Sequence, residues 1–179
     1  LAINGKSITY KDAGEGKIQG TVEITLMCKQ NDTIKYVDKY DLASPLLAPS
    51  DTVKPSFVDQ QRIVLPMGVY DLELSLADKN ILPPASPKTL SYHDVVAIDF
   101  PKDSLAFSDI QLVESFSKSN TPSSSSKSGL DILAYASDFY PASIVNLICY
   151  AEIYNADKAV VPGEEFLITY AIESHYSDM

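Results

Sequence analysis

The chain is 179 residues long and 45% apolar, with 11 Tyr and 6 Phe, enough to bury a core without disulfide staples as one large sandwich or two small domains. Lys and Arg total 14 against 24 Asp and Glu, and the resulting charge of -10 argues against nucleic acid or an anionic membrane surface as partner. No apolar run reaches the roughly 18 residues of a membrane helix, so no membrane insertion by this chain is expected.

The residues 3–10 form a short strand candidate, followed by the polar turn Asp12 to Lys17. Val22, Ile24, Leu26 and Cys28 then alternate with Glu23, Thr25 and Met27, the period-two pattern of a strand with one buried face. Gln30, Asn31 and Asp32 end it, and Ile34, Tyr36, Tyr40 and Leu42 suggest a return strand, so this pair reads as a hairpin. From Ser44 to Asp59 the pattern fails, and Pro45, Pro49 and Pro55 predict a loop or an irregular edge. Arg62 to Leu65 and Val69 to Ala77 read as a second hairpin, with Pro66 and Gly68 supplying its turn. Tyr92 to Phe100 is the next strand, with Val96, Ile98 and Phe100 on one face.

A polar junction at Pro101 to Asp103 places the expected domain boundary near residue 102, giving an all-β chain of two tandem Ig-like antiparallel β-sandwich domains, 1–102 and 103–179. The second begins with a strand in Leu105 to Glu114, and its Ser-rich stretch 115–129 is expected as a polar hairpin loop. Leu130 to Ala136, Val145 to Asn155 and Glu165 to Ser174 complete four strands, few for a sandwich. The second domain is therefore expected to be truncated, or to be completed by a partner. No window shows a convincing helical period, so helices are expected to be few and short.

Chemistry-bearing residues are sparse. The two cysteines, Cys28 and Cys149, each lie mid-strand in an apolar pattern, which suggests small buried hydrophobes, although an inter-sheet bridge stays open. Of the histidines, His93 stands near a strand start and His175 near the carboxyl end, and neither has a triad-like setting. Asp99, Asp103 and Asp109 around the junction form a Ca²⁺-binding alternative only if they converge. Gly14 and Gly16 lack the following Ser or Thr of a phosphate loop and read as a turn. Glu164 and Glu165 are adjacent on a strand and so face opposite sides, which disfavours joint acid–base work. No catalytic residue, metal site or cofactor is therefore expected.

The aromatic residues carry the remaining signal. Tyr135, Phe139 and Tyr140 either plug one end of the sandwich or form an exposed loop for stacking on sugars or touching a protein. Tyr150 and Tyr154 fall on one face of the expected strand 145–155, with Leu147, Cys149, Ala151 and Ile153 on the other. A strand apolar on both faces needs cover on both, which predicts a domain–domain or protein–protein contact at these five aromatic residues.

Three segments in order, LPMGVYDLELSLADK at 65–79, LAFSDIQLVES at 105–115 and AEIYN at 151–155, resemble the N-terminal Ig-like region of the GWxTD-domain family of exported bacterial proteins. The chain has no Trp, so the motif that names the family is absent. The resemblance implies a tandem β-sandwich of the cell envelope, periplasmic or at the cell surface, and carries no active site. An opening at Leu1 instead of Met fits a chain trimmed behind an export signal or lipoprotein anchor. The expected function is a non-enzymatic scaffold or protein-interaction module, with a protein partner or self-association, and a glycan- or calcium-binding module as the alternative.

Overall fold

The computed structural model describes residues 1–82, 89–121, 126–137, 139–161, 163–165 and 167–173. In chain order the strands are β1 (Ala2–Ile3), β2 (Tyr10–Gly14), β3 (Lys17–Gln30), β4 (Thr33–Ala43), β5 (Phe57–Val58), β6 (Gly68–Asp78), β7 (Thr89–Ile98), β8 (Ala106–Phe107), β9 (Gln111–Lys118), β10 (Ser126–Lys127), β11 (Leu130–Ala134), β12 (Ile148–Tyr150) and β13 (Ile153–Tyr154). A 3₁₀ turn at Gly5–Ser7 and the four-residue helix α1 (Ala156–Ala159) are the helical elements among the described residues. The fold is thus almost all β, and every named pairing is antiparallel.

Two compact units emerge, and they interleave along the chain: residues 1–99 with 111–150, and residues 100–110 with 151–179. In the first unit, β3 pairs with β4 from Thr21↔Ala43 to Gln30↔Thr33 and with β6 from Val22↔Asp78 to Lys29↔Asp71, while β7 continues the sheet beyond β6. β2 takes the first residues of β3. Val22, Ile24 and Cys28 are buried, as the alternation predicts, and Val22 and Ile24 pack with Ile3 and Phe57 of the β1–β5 pair and with Ile8. Gly5 permits that cover: a Cβ there would stand 2.2 Å from the Pro55 carbonyl oxygen.

Tight turns set the register. Asn31 and Asp32 (φ 49° and 59°) form the two-residue loop between Gln30 and Thr33, a left-handed pair of the type I′ kind that matches strand twist. Glu15 and Gly16 join β2 to β3, and Ser128 and Gly129 join β10 to β11, in the same way. Gly16 is therefore a turn residue, and Gly14, at φ 84°, ends β2 beside it, opposite Lys17.

The expected hairpin of 62–65 with 69–77 does not form. β6 has two edges, β3 and β7 occupy both, and Arg62 to Leu65 is not a strand. The Pro66 turn signal serves another purpose: Tyr70, 1% exposed, donates its hydroxyl to the Pro66 carbonyl at 2.7 Å and pins the entry of β6. At the carboxyl end, the strand expected from Glu165 to Ser174 has no ladder partner among the described residues; Leu167, Tyr170 and Ile172 are exposed, and Phe166 lies outside the described residues. Periodicity supplied the pattern there, but no neighbouring strand supplies the hydrogen bonds.

The second sheet of this unit, ordered β10–β11–β9–β12, is tied to the crossing segment after β5. Gln60 donates Nε2 to the Ile132 carbonyl at 3.2 Å and accepts the Ala134 N–H on Oε1 at 3.1 Å, so one amide side chain acts as a short strand. Beside it, Asp59 bonds Leu1 through the backbone and accepts the Tyr40 hydroxyl at 2.5 Å; burial and that carboxylate push the Tyr40 ionisation well above its ordinary range. In the other unit β13 pairs with β8, and Asn155 donates to the Pro101 and Ser104 carbonyls at 2.8 and 3.0 Å. Among the described residues no helix is long and apolar enough to cross a membrane.

Tyr70→Phe removes a buried hydroxyl and orphans one carbonyl, and is expected to lower stability by about 1 kcal/mol in chemical denaturation. Gln60→Ala leaves two backbone groups of β11 unbonded and is expected to cost about 1 to 3 kcal/mol by the same measurement.

Candidate functional site

The four-stranded sheet carries an apolar hollow of about 190 Å³ lined by Val113, Phe116, Leu130, Ile132, Ile148, Cys149 and Tyr150. Its floor is Ile132 and Val113, both buried, and Phe116 stands exposed on one wall. Strand alternation would send Val113 and Phe116, three positions apart, to opposite faces. A bulge prevents this: Leu133 faces Ser115 while the next residue, Ala134, faces Val113, so Glu114 is the extra residue and both apolar side chains reach the same hollow. β12 closes the far side through Ile148↔Val113 and Tyr150↔Gln111.

Tyr135 extends the ladder beyond β11 by donating its N–H to the Leu112 carbonyl at 2.9 Å. Its ring stacks on Tyr140 with centroids 4.1 Å apart and planes 14° apart, and its hydroxyl donates to the Phe139 carbonyl at 2.7 Å. Ser137 tightens the same loop by accepting the Phe139 N–H at 3.2 Å. Phe139 is left with its ring in solvent, 68% exposed. The Tyr140 hydroxyl is buried without a hydrogen-bond partner in the described structure, and burial raises its pKa. Tyr135 and Tyr140 thus pack on each other, while Phe139 of the same loop projects outward.

Tyr150 lies at the hollow with the Lys127 ammonium 5.4 Å from its ring centroid, a cation–π contact. Tyr154 does not share its strand. β12 ends at Tyr150, and β13 belongs to a different sheet and the other unit, where the Tyr154 ring meets Phe100 edge-on at 5.4 Å. The chain changes partner at Glu152, whose N–H goes to Ser108 Oγ at 2.8 Å and whose carbonyl accepts the Ser108 N–H at 2.9 Å. The single two-sided strand expected over 145–155 is therefore two short strands, and Tyr150 and Tyr154 have separate surroundings.

Both cysteines are free thiols. Cys28 is buried, and burial raises its pKa; Cys149 is exposed, contrary to the buried role expected for it. His93 on β7 is exposed opposite Glu73, whose carboxyl is held below its ordinary range chiefly by the Lys29 hydrogen bond of 2.6 Å, while His175 lies outside the described residues. Asp103 pairs with Lys158 at 3.0 Å, and among the described residues no three His, Cys, Asp or Glu side chains gather as a metal site. Glu164 and Glu165 are exposed in a non-strand segment.

No protein-family model, no curated protein and no solved structure matches the chain.

In the native protein Cys149 is expected to react rapidly and stoichiometrically with a thiol reagent, whereas Cys28 reacts only as the chain unfolds. Two equally fast thiols under native conditions would contradict the assigned burial of β3.

Proposed function

We propose that the chain is a non-enzymatic β-sandwich module of the bacterial cell envelope that binds another protein through the hollow on its four-stranded sheet. The observation that carries this reading is the hollow itself. It is apolar and bounded by Phe116 and Tyr150, and its volume of about 190 Å³ is below the ~300–1,000 Å³ usual for small-molecule sites. That is room for one or two anchoring side chains of a partner, the geometry in which interface hot spots are found. Tyr and Phe at the rim supply rigid contact area at low entropic cost.

Export and envelope location, and the finer architecture of two tandem Ig-like sandwiches, rest on the likeness of 65–79, 105–115 and 151–155 to the GWxTD-domain family. The Tyr70 hydroxyl bonded back to Pro66 supports the same reading, because sandwiches of the Ig class carry a Tyr that bonds upstream backbone in this manner. Glycan stacking on the exposed Phe139 ring is the second reading, favoured by its position at a loop tip.

A photo-crosslinking aromatic residue placed at position 116 is expected to yield a discrete adduct with a protein in bacterial envelope extract. The same residue at Lys35, exposed on β4, should yield none. With the photo-reactive residue moved to position 130, also on the hollow, Phe116→Asp should abolish capture with thermal stability little changed, since the Phe116 ring is exposed. Equal adducts at both positions would remove the hollow as the site, and a glycan-array signal lost on Phe139→Ala would favour the second reading.

A further inference from the structure

The two outer strands of the five-stranded sheet differ in kind. β4 exposes Ile34 and Val37 but intersperses them with Lys35, Asp38, Lys39 and Asp41 and leads into Pro45, devices that discourage a second strand from pairing there. β7 has no such protection over most of its ten residues. Every residue from Thr89 to Ala97 is exposed, including Leu90 at 64%, Tyr92 at 53% and Val95 at 61%, and no described strand pairs with its outer edge. An edge of unpaired N–H and C=O groups is satisfied by another strand, so its occupant must be extended chain.

We propose that β7 pairs antiparallel with β7 of a second copy of this chain, with His93 opposite His93, joining the two five-stranded sheets into one. Antiparallel neighbours related by a two-fold axis normal to the sheet keep each side chain on its own face, so even positions meet even and odd meet odd. Centring on Asp94 sets two carboxylates directly opposite, which is repulsive. Centring on Tyr92 sets Asp94 against Leu90, and centring on Val95 sets Asp94 against Val96; both leave a carboxylate facing an apolar side chain. Centring on His93 sets Tyr92 opposite Asp94, Leu90 opposite Val96 and Ser91 opposite Val95. Tyr92 already donates to Asp94 within one chain at 2.7 Å, so the pairing chemistry is present, and across the axis it occurs twice. Leu90 and Val96 adjoin the apolar face through their partners Leu76 and Tyr70, so the new contact continues the core of each sheet. The proposal rests on the reading of the chain as an interaction module but uses a different surface. Phe116→Asp alters the hollow and leaves β7 untouched, so failure of one is visible without failure of the other.

Sedimentation equilibrium of the full chain is expected to give twice the 19.6 kDa monomer mass at high concentration. In a Cys149→Ser background, His93→Cys should convert almost completely to a disulfide-linked dimer under mild oxidation, because facing residues in a ladder have Cα atoms about 4.5–5.5 Å apart. Ser91→Cys should remain unlinked, since its counterpart lies four residues along the ladder, about 13 Å away. A monomer at every concentration overturns the proposal and leaves the edge to an extended segment of another protein. A dimer in which His93→Cys fails to link, or Ser91→Cys links as readily, overturns it as well.

Discussion

Strand β3 is hydrogen-bonded along both edges, to β4 on one side and β6 on the other, and the first unit is organised around that double ladder. Backbone groups carried away from water must find partners, and a strand paired on both edges satisfies all of its own while leaving each neighbour one open edge. β4 and β7 inherit those edges. Four charged side chains stand along β4, beside the exposed Ile34 and Val37, whereas β7 carries one, Asp94. Ile24, fully buried at the middle of β3, shows the packing counterpart of the same constraint, with Ile3 and Phe57 laid over it.

The cover over that face comes from segments with little strand character of their own. β1 and β5 are two residues each, and the segment after β5 reaches the second sheet through Gln60. Side chains here substitute for ladder bonds: Ser44 accepts the Gly20 N–H at 3.0 Å, and the buried Asn80 donates to the Thr9 and Gln19 carbonyls at 2.9 and 3.1 Å. These side chains meet backbone groups of the irregular chain against the core, while the Asn80 Oδ1 itself is buried without a partner in the described structure.

How much of this the sequence reveals depends on whether one face of an element is buried. Val22, Ile24 and Cys28 announced β3, and Asn31–Asp32 announced its hairpin, because burial and turn geometry both act within a few residues. Pairing acts at a distance and left weaker marks. Arg62 to Leu65 is a short apolar run next to the alternating Val69 to Ala77, yet β6 had no edge left for it. Ser115 to Lys118 is polar enough to read as loop but lies in β9, where backbone pairing with β11 decides. The hollow was illegible for a related reason. Of the five aromatic residues singled out, Tyr150 lines it, Tyr135, Phe139 and Tyr140 form a neighbouring loop, and Tyr154 belongs to the other unit. The sequence does not mark Phe116 and Val113 as neighbours, because only the bulge at Glu114 turns them to one side, and a bulge is a property of two strands together.

Two kinds of surface thus arise from one principle. Where the ladder is complete and kinked, side chains gather into a hollow; where it ends, at β7, the outer edge has no described strand beside it. Amide hydrogen exchange followed residue by residue at low and high protein concentration tests this directly. The account predicts that β3 amides exchange slowest at both concentrations, and that alternate β7 amides gain protection only at the higher one. Exchange in β3 as fast as in the crossing segment 45–56, or β7 amides indifferent to concentration, would contradict it.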